Sequence, residues 1–384
     1  MSSGLPTTPA EPAILATLAC NLDVDILSAA LPLLAEGRVE ALEWSFDTLF
    51  WAEQLPDWFS ELLGTYSAEN RLLGHGVYFS LLSGRWTPEQ QQWLEQVRQV
   101  VARYPLVHLT EHFGFFTGQN FHAGAPLPVP YTPATLRLGR DRLSRLYEAC
   151  RCPVGLENLA FAYSLEEVKR HGEFLGRLLE PVSGFLILDL HNLYCQLHNF
   201  SVPYEELIGL YPLEQVREIH ISGGSWEDSA LTPGRKIRRD THDEAVPEDV
   251  FQLLELTIPR CPHLKYVVLE QLGPSLRTEV SRAQFRHDFG RMEAIVQRLR
   301  TGRAGYADQL FLPLHPPPTG PAFEDGQLYA HQQHLSHILE TAPTLAEAQR
   351  LLHASALASS AWKLEQWAPH MLETAVSIAQ KWKR

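Results

Sequence analysis

The sequence predicts an α/β fold: a (β/α)8 TIM barrel with a small C-terminal helical appendage. Three observations lead there. Between about residues 13 and 311, short apolar runs alternate with longer amphipathic stretches, the pattern of a parallel sheet covered on both faces. Nearly every apolar run ends, on its C-terminal side, in a titratable or amide side chain. In a closed barrel those ends meet on one rim, where active sites of this architecture sit. Finally, no GxGxxG or Walker pattern opens a helix, so the phosphate loop expected of an open doubly wound sheet is missing.

Each element follows from its residues. Residues 1–12 are small, polar and Pro-containing, and read as a flexible tail. They lack a basic start followed by an apolar core, so no signal peptide is expected and the protein is read as cytoplasmic. The first predicted strand is VEALEW (39–44), followed by LLGHGVYFS (72–80), LVHLTEHF (106–113), CPVGLEN (152–158), GFLILDL (184–190), VREIHIS (216–222) and LKYVVLE (264–270). Among the helices between them, residues 86–104 have Thr87 as N-cap with Glu89 and Gln90 in the first turn, and in 164–180 Ser164 followed by Glu167 fits a capping box. The barrel domain spans 13–311. LPLHPPPTGP (312–321) reads as a stiff linker, and 322–384 as a helical region that packs on the barrel, pairs subunits or docks a partner.

Composition narrows the function. No apolar run approaches the roughly 20 residues of a membrane helix. A net charge of −13 lacks the basic footprint that nucleic acid binding needs. The five cysteines include Cys150 and Cys152, whose spacing suits neither a zinc knuckle nor a redox pair, so they read as idle thiols. The basic run Arg235, Lys236, Arg238 and Arg239 reads by default as a solvated loop, with contact to an acidic peptide as the sharper option.

Nine residues recur at strand ends: His75, His112, Glu157, Asp189, Asn192, His220, Asp240, His242 and Glu270. A βα unit of such a barrel averages roughly 30 residues, and successive groups here are 22 to 45 apart. Asp240 and His242, two apart, would point the same way on an extended segment. Asp189 and Asn192 would straddle a strand end and the loop after it. Charged groups are rarely buried without partners, and burying this many requires compensation. Imidazoles and carboxylates without thiolate suit iron, manganese or zinc. A carboxylate such as Glu157 or Glu270 can bridge ions, so two or three metals a few ångströms apart are expected.

These motifs, in order, resemble the multinuclear non-haem iron-dependent oxidase family of the xylose-isomerase-like barrels. The similarity covers roughly residues 35–290. It runs through GHGVYFSLLSG, LTEHFGFFTG, LPVPYTPATL, GLENLAFAY, LILDLHNLYCQLHNF, EIHISGG, DTHDEAVPEDVF and VVLEQ. The departures are Glu111 for Asp, Leu159 for Pro, His191 for Asn, Gly224 for His, Gln271 for Trp, and the insert at 225–239. The resemblance implies two or three iron ions, dioxygen as co-substrate, and oxidation of a residue in a ribosomally made precursor peptide. The residue is commonly Cys and in some members Asp or Asn. A separate leader-binding partner protein is also implied for many members. Beyond the nine, Glu43 stands as a further metal or substrate residue, Asn158 and His198 as groups that orient ligands, and Arg238 and Arg239 as substrate contacts. Three other functions compete: an endonuclease IV-like phosphodiester hydrolase, a sugar isomerase or epimerase, and a metal-binding scaffold without activity.

Overall fold

The computed structural model describes residues 14–50, 52, 54–116, 126–300, 308–314 and 320–382. The tail read at 1–12 and residues 315–319 of the linker lie outside them. Eight parallel strands form a closed barrel: β1 (Leu15–Ala19), β2 (Ala41–Trp44), β3 (Leu72–Gly76), β4 (Leu109–His112), β5 (Val154–Glu157), β6 (Phe185–Asp189), β7 (Val216–Ile221) and β8 (Tyr266–Leu269). Each strand pairs with the next in sequence, and β1 closes on β8 with Leu15 opposite Tyr266. VEALEW is therefore the second strand. The first, LATLA, escapes sequence reading because alanine and leucine favour helix and neither an imidazole nor a carboxylate marks its end.

The helices of the barrel are α1 (Val24–Ala35), α2 (Asp57–Ala68), α3 (Pro88–Arg103), α4 (Pro133–Cys150), α5 (Leu165–Leu179), α6 (Leu190–Phe200), α7 (Glu248–Thr257) and α8 (Glu279–Leu299). Thr87 caps α3 in a reciprocal capping box with Gln90. At α5 the Ser164 hydroxyl accepts from the Glu167 amide, but the Glu167 carboxylate turns one residue further back and accepts from Tyr163 N at 2.7 Å. No helix among the described residues is long and apolar enough to cross a membrane. All five cysteines are free thiols.

Strand period two decides what the lumen holds. Leu15, Ala41, Leu73 and Tyr266 fill one end of it. Two residues further along, β1, β2 and β3 offer Thr17, Glu43 and His75, all buried. The apolar floor thus gives way to a polar layer toward the C-terminal ends of the strands. One irregularity interrupts the ladder. Leu186 pairs with Val216 but Ile187 with Glu218, so Arg217 is a surplus residue in β7. The bulge lets two chain neighbours face one partner: Arg217 Nε donates to His108 Nδ1 at 3.4 Å, and Glu218 Oε2 lies 2.7 Å from His108 Nε2.

The helical region after the linker comprises α9 (Gly326–Thr341), α10 (Leu345–His353) and α11 (Pro369–Trp382), and it packs on the barrel. The Gln332 amide accepts from Gly84 N and donates to Leu82 O, both at 2.8 Å. Trp367 stacks on Tyr163, with ring centroids 3.9 Å apart.

Candidate metal centre

The C-terminal rim of the barrel gathers the strand-end residues around Glu157, the last residue of β5. Its Oε2 is 3.4 Å from both His75 Nε2 and His112 Nε2. Its Oε1 is 4.0 Å from His220 Nδ1 and accepts from Asn192 Nδ2 at 3.3 Å. On the other side, Glu270 lies 3.5 Å from His220 Nδ1 and 3.4 Å from His242 Nδ1, while His242 Nε2 is 2.7 Å from Asp240 Oδ1. Among the described residues four groups of side chains could each hold an ion: Glu43, Glu218 and His220 deeper in the lumen, and on the rim His75, His112 and Glu157; Glu157, Asp189 and His220; Asp189, His242 and Glu270. The three rim groups overlap through Glu157 and Asp189, the arrangement that a multi-ion site requires.

The hydrogen bonds around the imidazoles set which nitrogen faces inward. Thr110 Oγ1 donates to Gly74 O and so accepts from His75 Nδ1 at 2.8 Å. The Gly76 carbonyl, which can only accept, takes His112 Nδ1–H at 3.1 Å. Glu218 and Glu43 flank His220 Nε2 at 2.9 and 3.2 Å. Each ring is thereby committed on its outer nitrogen, and Nε2 of His75 and His112 and Nδ1 of His220 are turned toward Glu157. Such outer partners fix tautomer and orientation in metal sites. Several buried atoms on this rim have no hydrogen-bond partner: Glu157 Oε2, Asp189 Oδ2, Asn192 Oδ1 and His220 Nδ1. Orphaned buried acceptors are costly, and a cation is what would satisfy them. The donor set of imidazole, carboxylate and amide without thiolate fits iron, manganese or zinc.

Electrostatics point the same way. Burial first, then the charges of Asp189, Glu270 and Asp240, push the Glu157 carboxyl well above its ordinary range. Burial, then Asp240, raises Asp189 to about 6. Burial lowers His75 and His112, with His112 and His220 adding to the effect on His75. For His220, burial opposes the charged form, but Glu43, Glu218 and Glu270 outweigh it and hold the ring well above its ordinary value. His242 is raised likewise, Asp240 and Glu270 overcoming burial. The acids of this cluster demand positive charge. His75, Glu157 and His220 are buried, whereas His112, Asp240 and Glu270 keep 24, 29 and 20% of their side-chain surface exposed. The open side of the centre is therefore theirs.

Local structure departs from the sequence reading in three places. No loop separates Asp189 from Asn192: β6 runs straight into α6, and Asp189 is the N-cap, accepting from Asn192 N at 2.6 Å. The segment holding Asp240 and His242 is not extended, because His242 adopts a left-handed backbone with φ of 51°. That conformation is uncommon outside glycine, and it is pinned by Leu272 N donating to His242 O at 2.9 Å. The basic run is not a solvated loop. Lys236–Arg238 pairs with Trp226–Asp228 in a hairpin, and Arg238 and Arg239 are buried. Arg238 Nε donates to His191 Nε2, and Arg239 pairs with Glu227.

The weaker candidates separate. Glu43 sits within β2 beneath His220. Asn158 exchanges two hydrogen bonds with the Asp189 backbone, Oδ1 accepting from N at 2.7 Å and Nδ2 donating to O at 3.1 Å, and so fixes where Asp189 stands. His198 lies away from the centre, with Nε2 3.2 Å from Lys236 O and its ring against Trp226. Sequence reading missed Glu218, Thr110 and His108. The first two were within reach, since each precedes a strand-end histidine by two and so shares its face.

Comparison with known proteins adds a family. A family model described as "RiPP precursor modification enzyme MbnB/TglH/ChrH" matches residues 51–275, a range that contains all nine rim residues. A UPF0276 protein of Acaryochloris marina is 27% identical over 187 residues, covering 48% of this chain and 64% of that protein. One from Paraburkholderia phytofirmans is 31% identical over 172 residues, covering 44% and 54%. The matches thus span less than two thirds of these relatives' length. Among solved structures, a xylose isomerase-like TIM barrel protein from Mycobacterium smegmatis in complex with magnesium is 14% identical with a TM-score of 0.46, covering 73% of this chain and 98% of that one.

Proposed function

Because the chain belongs to the MbnB/TglH/ChrH family of RiPP precursor modification enzymes, we propose that it is a multinuclear non-haem iron, dioxygen-dependent oxidase. Its substrate is a residue of a ribosomally synthesised precursor peptide, commonly Cys and in some members Asp or Asn. One observation carries this reading: overlapping groups of imidazoles and carboxylates that share Glu157 and Asp189, with orphaned acceptors among them. His75, His112 and Glu157 would hold one ion, and Asp189, His242 and Glu270 another, with His220, Asp240 and Asn192 completing the set. Iron with dioxygen supplies the oxidising chemistry when bound.

The protein's part is orientation and exclusion of water. Thr110, Gly76 O, Glu218 and Glu43 hold the outer nitrogens of the three histidines. The peptide reaches the centre from the side of His112, Asp240 and Glu270. Either a separate leader-binding protein or the helical region 322–384 captures the rest of the peptide, in the cytoplasm where precursors are made. A variant lacking 322–384 that keeps full peptide turnover would exclude that region.

The test is anaerobic purification with iron quantitation and Mössbauer spectroscopy, followed by oxygen-dependent mass change of a precursor peptide encoded beside the gene. Two or more irons per chain and a mass change that needs oxygen are expected. A protein that loads only zinc and cleaves abasic DNA would instead be a hydrolase of the endonuclease IV kind.

A further inference from the structure

The hairpin after β7 reaches the metal centre from outside. Arg238, its last strand residue, is 3% exposed. Its guanidinium carbon lies 5.6 Å from the Tyr194 ring centre and 5.1 Å from that of Trp226, and its Nε is 3.1 Å from His191 Nε2. An arginine nitrogen only donates, so His191 Nε2 must accept and the ring proton must sit on Nδ1. That Nδ1 faces Asp240 Oδ1 at 3.4 Å. The ring occupies a fitted space: a Cβ at Gly224 would stand 2.7 Å from His191 Cε1 and 2.2 Å from Arg239 O. Glycine at 224 therefore leaves room both for the hairpin backbone and for the imidazole arriving from α6.

Asp240 needs such a holder. It lies in irregular backbone between the hairpin and His242, outside any strand ladder. Its other close side-chain partner is His242 Nε2. If His242 gives its Nε2 to an ion, that contact no longer fixes the carboxylate. His191 stays available because Arg238 occupies its only lone pair. The mount is braced in turn. Asn199 accepts from Arg238 N and donates to Arg238 O, both at 2.9 Å, and Glu373 of α11 accepts from Ser229 Oγ and Ala230 N at 2.8 and 2.7 Å.

We propose that His191 and Arg238 are positioning residues that aim Asp240 at the metal centre, with the hairpin as their mount. This rests on reading the rim as a metal centre. The test uses the full-length, metal-free protein and Mn²⁺ as probe, with free Mn²⁺ counted by EPR. His191→Leu should weaken the binding of one ion by about ten- to a hundredfold, whereas His191→Asn, whose amide can accept from Arg238 and donate to Asp240, should stay within about threefold of wild type. In ¹⁵N NMR of metal-free wild type, His191 should carry its proton on Nδ1, and Arg238→Met should turn that signal into a tautomer mixture. Wild type with the proton on Nε2, or His191→Leu binding Mn²⁺ like wild type, overturns the assignment. Should His191→Leu fail to fold, the wild-type tautomer and the His191→Asn affinity decide instead. Wild type that binds no Mn²⁺ would sink the metal centre itself, a result distinct from wild type and His191→Leu loading alike.

Discussion

Glu157 sits at the centre of the rim's charges. It is buried among three histidines and three acids, with one oxygen unpartnered. Glu157→Gln removes charge where charge is expensive, so metal-free protein should gain on the order of 1 kcal/mol of stability, against the usual trend for buried substitutions. The same change should abolish uptake of at least one ion. Urea unfolding with chelator and metal analysis of the refolded variant check the two halves, and a variant that loses stability without metal would contradict this account. His171 gives a pH dependence with a definite sign. Its Nε2 accepts from Leu159 N at 3.2 Å, which requires the neutral ring, and burial lowers its pKa to about 4. A folded value below the unfolded one means stability is present above the unfolded pKa and lost as pH falls toward the folded pKa. From pH 7 to 5 this should cost roughly 2 kcal/mol. Measured as the wild type minus His171→Gln difference in unfolding free energy, the loss should be visible; a difference that is flat across that range would refute it.

Strands and helices were legible to different depths. Seven of the barrel strands announce themselves because each is apolar and ends in a group that chemistry would want on the rim, as HLTEH and LILDL do. LATLA does not, since Cys20 and Asn21 after it offer neither an imidazole nor a carboxylate. The exchange of hydrogen bonds between Asn158 and the Asp189 backbone, the left-handed turn at His242 and the burial of Arg238 were not legible. Each depends on a partner far along the chain: Asn158 on Asp189, His242 on Leu272, Arg238 on Asn199. Helix α9 illustrates how an appended element is held. Gln332 satisfies the backbone of the segment after β3, so Gln332→Leu leaves Gly84 N and Leu82 O unpaired in a buried place. At roughly 1–3 kcal/mol for each orphaned group, docking should loosen by several kcal/mol. Limited proteolysis should then clip the region after 320 well before the barrel; equal rates in variant and wild type would show that α9 is held by something else.

At the scale of the whole molecule, the barrel concentrates buried acids in the polar layer of its lumen and on its rim. Glu43, Glu157, Asp189 and Glu218 are all buried in the lumen or on its rim. Metal-free protein carries that repulsion in its folded state. Ions that bind only the folded form should therefore raise the unfolding midpoint by mass action, by about 2.7 kcal/mol at a hundredfold excess over the dissociation constant. Thermal unfolding with and without Mn²⁺ measures this, and an unchanged midpoint would mean that no ion binds the folded state selectively.

The surplus residue in β7 also bears on how relatives of this chain can drift in length. Removing Arg217 would restore an unbroken ladder and leave Ile187 opposite Glu218 and Asp189 opposite His220, whereas removing Ile219 would shift every later residue of that strand by one place and reverse which side it faces. His220 would then look out at the helices instead of into the lumen. Changes in length should therefore be tolerated in the loops around this strand and at its surplus residue, and selected against between Glu218 and His220.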